Sequence, residues 1–179
     1  DLEVWKCVRA SAREIETGGK VKPILLYGVT GSGKTEVYLQ AIQKAIDAGK
    51  GAIVLVPEIA LTPQTADRFK KRFAKIKDQV AILHSNLSEG ERHDEWRKVL
   101  EQKARIVIGA RSAIFSPITN LGLIVVDEEH ENSYKQDISP RYQARDVAVV
   151  RGHLEKCPVL LGSATPSLES WSNTQNDKY

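Results

Sequence analysis

Short apolar runs punctuate the chain at Ile24–Tyr27, Ala52–Val56, Val80–Leu83, Arg105–Gly109, Leu123–Val126 and Val159–Gly162. Each is too brief for a helix and almost free of polar positions, the pattern of a strand buried on both faces. The stretches between them carry helical signals. Glu36–Ile42 reads as a helix that stops at Ala48-Gly49-Lys50-Gly51. Leu61-Thr62-Pro63 opens another, with Thr62 placed as N-cap, Pro63 at the first helical position, and Phe69, Phe73 and Ile76 recurring along one face. Ser88 caps a helix running to about Gln102, and residues 143–155 form a further one. Ahead of all these, residues 1–18 predict a helix with Leu2, Trp5, Val8, Ala12 and Ile15 on one side, closed by Gly18-Gly19. Strands that alternate with amphipathic helices predict an α/β fold whose mainly parallel sheet is covered on both faces.

In such sheets ligands collect at the carboxyl ends of the strands, and the chemically informative residues all follow a strand. The first is Gly28-Val29-Thr30-Gly31-Ser32-Gly33-Lys34-Thr35, which has the spacing of a P-loop. Its glycines allow a tight turn whose backbone N–H groups meet phosphate oxygens, and the helix that follows adds its positive dipole end. Lys34 is placed to reach the β- and γ-phosphates and the Thr35 hydroxyl to ligand Mg²⁺, so a nucleoside triphosphate is the expected ligand. Asp127 ends the fifth apolar run, where a Walker B carboxylate holds the same cation, and Glu128 is placed to orient or deprotonate water. Pro57-Glu58, Gly109–Ser112 and Ser163–Pro166 fall at the same edge.

Composition changes this picture little. The 179 residues suit one main domain, with a connector before residue 24 and a polar tail after residue 171. No apolar run approaches a membrane span, and Cys7 and Cys157 stand too far apart in sequence to suggest a C-x-x-C zinc site or a disulfide framework, which fits a reducing cytosol. A net charge of +3 does not by itself argue for nucleic acid. The chain contains no Met, even at position 1, as expected of a piece of a longer polypeptide. Arg68, Lys70, Lys71, Arg72, Lys75 and Lys77 admit two readings, a face for DNA phosphates or a solvated helix surface. Trp5 can stack on a base or pack on the domain, and His84 with Ser85 reads as a strand-end cap or a satisfied core histidine.

Asp127-Glu128-Glu129-His130 resembles motif II of superfamily 2 helicases, the DExH box, and Ser163-Ala164-Thr165 resembles their motif III. The stretches Val56–Gln64, Leu83–Ser88, Gly109–Phe115, Ser133–Gln136, Arg141–Asp146 and Gly162–Ser167, with the P-loop, are similar to the PriA family of bacterial replication-restart helicases. The resemblance runs from about Ile24 to Ser170 and implies a three-layer RecA-like P-loop NTPase domain, the first lobe of an ATP-driven 3′–5′ DNA motor. It further implies ATP and Mg²⁺ as cofactors and single-stranded and forked DNA as substrate. The implied partners are a second helicase lobe of the same polypeptide, single-strand-binding protein and other primosome proteins, in the bacterial cytoplasm at the nucleoid and away from membranes. Zinc is implied elsewhere in the family, not in this stretch. By the same resemblance His130, Ser163 and Thr165 relay between the γ-phosphate and the bound strand, while Thr62, Arg111, Ser112, Tyr134, Lys135, Arg141 and Tyr142 meet DNA. For Arg111 a surface salt bridge, and for Tyr134 and Tyr142 packing within the loop, remain as alternative readings.

The sequence departs from the family in carrying no Gln within residues 1–23, where an adenine-recognising Gln usually stands, and it lacks motifs IV to VI with their arginine finger. By itself it is therefore expected to hydrolyse ATP poorly and not to unwind DNA. Other superfamily 2 translocases (RecG-like, or a restriction motor), a P-loop small-molecule kinase and a docking module are the competing readings. The DExH sequence, the Ser-Ala-Thr motif and the absence of an arginine-rich lid argue against the kinase.

Overall fold

The computed structural model describes residues 22–85, 87–176 and 178–179. The helix expected over residues 1–18 lies outside them. The expected alternation is present as β1 (Ile24–Tyr27), α1 (Lys34–Asp47), β2 (Gly51–Leu55), α2 (Pro63–Arg72), β3 (Val80–Leu83), α3 (Glu89–Leu100), β4 (Ile106–Gly109) and β5 (Leu121–Val126). A two-stranded ribbon, β6 (Lys135–Gln136) and β7 (Tyr142–Gln143), then precedes α4 (Ala144–Glu155), β8 (Val159–Ser163) and α5 (Leu168–Gln175). Six strands form one parallel sheet in the order β1-β8-β5-β2-β4-β3, and β6 pairs antiparallel with β7.

Period-two alternation within the strands divides the core between two faces. Ala52, Val54, Ile106, Ile108 and Val125 point to one side, against Tyr38, Ile42, Phe69 and Phe73 of the α1 and α2 segment. Ile53, Leu55, Val107, Ile124 and Leu161 point to the other, against Val99, Ala144 and Ala148 of α3 and α4. That is the three-layer α/β arrangement expected from the sequence.

Helix starts are set by local chemistry. Thr62 caps α2 by accepting the Thr65 N–H, and Ser88 and Glu91 form a capping box at α3. The periodic apolar positions after Leu61 do not all belong to one α-helix: α2 ends at Arg72, and Ile76 sits at φ −131° within a 3-10 segment, Ala74–Gln79. Phe69 and Phe73 are both buried, so the apolar stripe continues although the hydrogen-bond pattern changes. At the far end α5 runs through residue 172, where the polar composition predicts a tail to begin, and Tyr179 packs against the α4 face of the core.

One buried ion pair ties these layers together. Glu129 is fully buried, and its carboxylate accepts from the Ser167 N–H (2.7 Å), the Ser167 hydroxyl (3.0 Å), the Ser170 hydroxyl (2.8 Å) and Arg145 (3.2 Å). The end of β5, the first turn of α4 and the start of α5 thus share a single carboxylate that accepts four hydrogen bonds, three on Oε2 and one on Oε1. Arg145 also pairs with Asp146 at 3.0 Å, so removing Glu129 leaves its charge one partner and the Ser167 and Ser170 hydroxyls without an acceptor. Glu129→Ala is expected to lower the unfolding free energy by about 1–3 kcal/mol. Urea denaturation checks this, and Arg145→Met in the same background should recover part of the loss.

Candidate functional site

The parallel registers bring strand ends level, with Tyr27 beside Ser163, Leu55 beside Val126 and Leu83 beside Gly109. The segments that follow β1, β8 and β5 therefore meet at one end of the sheet. After β1, the chain turns through Gly31 (φ +80°) and Gly33 (φ +91°), conformations that side chains rarely adopt, and enters α1 at Lys34. No side chain caps α1. Its first N–H groups have no intrahelical partner, and loop 29–33 is exposed, although the Ser32 N–H already donates to the Val29 carbonyl at 3.1 Å; a helix N-terminus of this kind suits an anion. The Lys34 ammonium is buried and lies over this turn, donating to the carbonyls of Gly28 (2.6 Å) and Val29 (3.3 Å).

Asp127 continues the β5 ladder, its N–H donating to Leu55 at 2.9 Å. Its Oδ1 accepts from the Tyr38 hydroxyl (3.0 Å) and the Glu128 N–H (3.1 Å), while its carbonyl accepts from the Tyr134 hydroxyl (2.6 Å). Tyr38 reaches this far because Gly162 has no side chain; a Cβ there would lie 1.5 Å from the phenol oxygen. Burial pushes the Asp127 pKa up, with the Tyr38 hydrogen bond pulling the other way. Burial first, and then the Asp127 charge, raise the Tyr38 phenol far beyond its ordinary range, so Tyr38 acts only as a donor here. Asp127 and Thr35 line one small cavity of about 130 Å³ with Tyr38, Thr65 and Arg68. One carboxylate and one hydroxyl beside this glycine turn fit Mg²⁺, which takes few protein ligands and fills its octahedron with water and phosphate oxygens.

Glu128 adopts φ +45°, a left-handed conformation uncommon outside glycine. That turn sends its carboxylate between Lys34 (4.0 Å) and His130 (3.7 Å) instead of into the core. His130 Nδ1 lies 2.7 Å from the Ser163 hydroxyl and its Nε2 3.2 Å from the Thr165 hydroxyl. The Thr165 N–H donates to Ser163 Oγ at 3.0 Å. The three residues expected to relay thus form one hydrogen-bonded cluster beside Glu128.

The second group of expected residues lies past β2 and β4. Thr62 and Ser112 are exposed at the starts of their helical turns. Arg111 makes no salt bridge to a carboxylate among the described residues; its guanidinium donates to the backbone carbonyls of Ser133 (3.4 Å) and Lys135 and so fastens the ribbon to the turn after β4. Lys135 and Arg141 are exposed and both engage Asp137, through an ion pair at 3.0 Å and a bond to its carbonyl at 2.9 Å. Tyr142 is half-buried with its ring edge-on to Phe115, centroids 5.1 Å apart. Tyr134 is a correction. It is 1% exposed, locked beneath Asp127 by its hydroxyl, and cannot stack on a base. The 3-10 turn Asn132–Tyr134 folds the ring inward, where a phenol fits if its oxygen finds an acceptor. His84 is a second correction, since its Nδ1 is buried without a protein partner among the described residues and so is not satisfied.

The basic residues near α2 do not form one surface. Arg68 lines the Asp127 cavity, Arg72 pairs with Glu36 at 3.3 Å, and Lys70 and Lys77 border a groove beside β3. Tyr38, Arg68 and Glu129 belong to the site yet carry no motif role in the sequence reading. Helical spacing from the P-loop gives Tyr38 an inward direction, but its partner lies on a distant strand.

A family model described as DEAD/DEAH box helicase matches residues 9–174. The chain is 58% identical over 93% of its length to the replication restart protein PriA of Bacillus subtilis, and 57% identical over 86% to that of Synechocystis. It spans only 20% and 19% of those relatives. Among solved structures, RecG bound to a three-way DNA junction matches with a TM-score of 0.60 and 25% identity, over 94% of this chain and 22% of that one. The UvsW helicase of bacteriophage T4 matches in fold with a TM-score of 0.57 and 16% identity, over 93% of this chain and 55% of that one. No helix among the described residues is long and apolar enough to cross a membrane.

The raised Asp127 pKa has a sign that can be tested. The ionised carboxylate is less favourable in the fold than in the unfolded chain, so its contribution to stability is full below its ordinary value and is lost as pH rises through the raised one. Asp127→Asn keeps an acceptor for Tyr38 and removes the charge. Without Mg²⁺ or nucleotide, it is expected to melt above wild type at pH 7, and the gain should vanish below about pH 4. Thermal melts at the two pH values check this.

Proposed function

The chain belongs to the DEAD/DEAH box helicase family, and from that premise we propose that it is the ATP-binding lobe of a 3′–5′ DNA helicase of the replication-restart type. The observation that carries the reading is the cluster His130–Ser163–Thr165 beside Glu128, which links the nucleotide turn to the neighbouring strand ends. The 58% identity to PriA of Bacillus subtilis, against 25% to RecG, favours the restart type over a RecG-like translocase.

When bound, ATP–Mg²⁺ supplies the phosphoanhydride and a divalent charge that neutralises the oxygens of the transferring group. The protein's contribution is to position and polarise. Lys34, which now donates to the Gly28 carbonyl, would meet phosphate oxygens, and the Thr35 hydroxyl and Asp127 carboxylate, which line one cavity, would hold the cation. Glu128, held between a lysine and a histidine, orients water and accepts its proton. His130, Ser163 and Thr165 pass a change at the nucleotide to the strand ends that face DNA, where Thr62, Arg111, Ser112, Lys135 and Arg141 meet phosphates without reading bases. A second lobe in the longer polypeptide supplies the arginine that completes the site, so this chain by itself hydrolyses ATP weakly. Forked and single-stranded DNA, single-strand-binding protein and other primosome proteins in the bacterial cytoplasm are the partners we assign to the whole protein.

The test uses the polypeptide that joins this chain to its second lobe. ATP hydrolysis should rise strongly with single-stranded DNA and fall to background in Lys34→Ala. Hydrolysis indifferent to DNA would remove the helicase reading. Thr165→Val should retain nucleotide binding and lose DNA stimulation by about tenfold, the size of a typical coupling between sites. A variant stimulated like wild type would show that the cluster does not couple.

A further inference from the structure

The two residues fitted to hold a cation come from elements far apart in sequence, Thr35 on α1 and Asp127 just past β5. Tyr38 joins them. It stands one turn beyond Thr35 on the same face of α1, and its hydroxyl crosses to Asp127 Oδ1 at 3.0 Å. The Glu128 N–H donates to the same oxygen at 3.1 Å, and the Tyr134 hydroxyl holds the Asp127 carbonyl at 2.6 Å. The backbone and Oδ1 are therefore both committed, whereas Oδ2 accepts from no group among the described residues. Strand β8 gives way to make this possible. The three atoms nearest to where a Gly162 Cβ would stand are the hydroxyl, Cζ and Cε1 of Tyr38. A fully buried strand thus forgoes a side chain to admit one phenol. Tyr38 is itself buried, so water does not compete for the bond.

We propose that Tyr38 is a positioning residue that presents Asp127 to the cation through Oδ2 alone and so makes the site prefer Mg²⁺ to Ca²⁺. The inference deepens the nucleotide-site reading given above and rests on it. Mg²⁺ demands a near-ideal octahedron and takes a carboxylate beside waters and phosphate oxygens, whereas Ca²⁺ accepts a larger, looser shell and gains from a carboxylate that opens both oxygens. With Oδ1 held by two donors, Asp127 has one oxygen to offer. Because Tyr38 and Thr35 share a helix, the carboxylate and the Thr35 hydroxyl are also kept in one fixed relation. The cavity they line is small, about 130 Å³, which favours the smaller ion. Packing alone asks only for the ring of Tyr38; the hydroxyl serves the carboxylate.

The experiment uses the two-lobe polypeptide stripped of metal, and a fluorescent, non-hydrolysable ATP analogue followed by anisotropy. MgCl₂ and CaCl₂ are titrated separately into wild type and Tyr38→Phe, and binding without metal is measured beside them. Wild type should reach half-saturation at a lower concentration of Mg²⁺ than of Ca²⁺. Tyr38→Phe should raise the Mg²⁺ requirement by about tenfold, the cost of losing a partner that orients a metal ligand. Its Ca²⁺ requirement should stay the same or fall, because Oδ1 is partly released. Binding without metal, which draws on the glycine turn and Lys34, should be retained. Gly162→Ala, which crowds the phenol away from Asp127, should narrow the preference in the same direction. Equal change for the two cations, or none, would show that the phenol only fills the core, and a wild type indifferent to the choice of cation would overturn the proposal without any variant. Loss of metal-free binding in Tyr38→Phe would assign the residue to the support of the turn instead. If wild type binds the analogue under no condition, the nucleotide-site reading fails together with this one.

Discussion

The hydroxyls of Tyr38 and Tyr134 close on Asp127 from the two faces of the sheet, one on its carboxylate and the other on its carbonyl. Each phenol belongs to a different half of the core, Tyr38 to the α1 side and Tyr134 to the α4 side. A single polar residue at the end of a fully buried strand is therefore anchored by both hydrophobic layers at once. Burial disfavours its charge, and the donors offset that only in part. The carboxylate is thereby left with an unmet demand for positive charge, the chemistry of a cation ligand. The same pressure that makes Asp127 costly to the fold makes it a good ligand.

Four consecutive residues then go in four directions. Asp127 stays at the strand end, Glu128 turns through a positive φ toward Lys34, Glu129 drops into the interior, and His130 reaches across to Ser163 and Thr165. The buried Glu129 makes the others possible. Its bonds to Arg145, Ser167 and Ser170 hold the start of α5 beside the strand end, and the loop that carries Ser163 and Thr165 is thereby kept within reach of the histidine. Strand order completes the division of labour. β1, β8 and β5 bring the turn before Lys34, Ser163 and Asp127 together, whereas β2, β4 and β3 carry the turns with Thr62, Arg111 and His84. Asp127 lies at the seam between the two groups.

The chain's own pattern determined the layers, the helix caps at Thr62 and Ser88, the glycine turn before α1 and the identity of the acidic strand end, because each is a local signal. Burial on both faces writes continuous apolar runs, capping needs a hydroxyl at one position, and a phosphate turn needs glycine where φ is positive. Tertiary structure alone decided which of the loop residues face outward. Nothing local distinguishes Tyr134 from Tyr142, yet one is locked under a strand end and the other is half-open beside Phe115. Arg68 likewise parts from its basic neighbours only because α2 lies over the P-loop helix side of the sheet, and Glu129 is a core residue only because α4 and α5 bring a guanidinium and two hydroxyls to it. Whether a polar side chain is a ligand, an anchor or a bystander depends on partners many residues away, and those are supplied by packing, not by spacing along the chain.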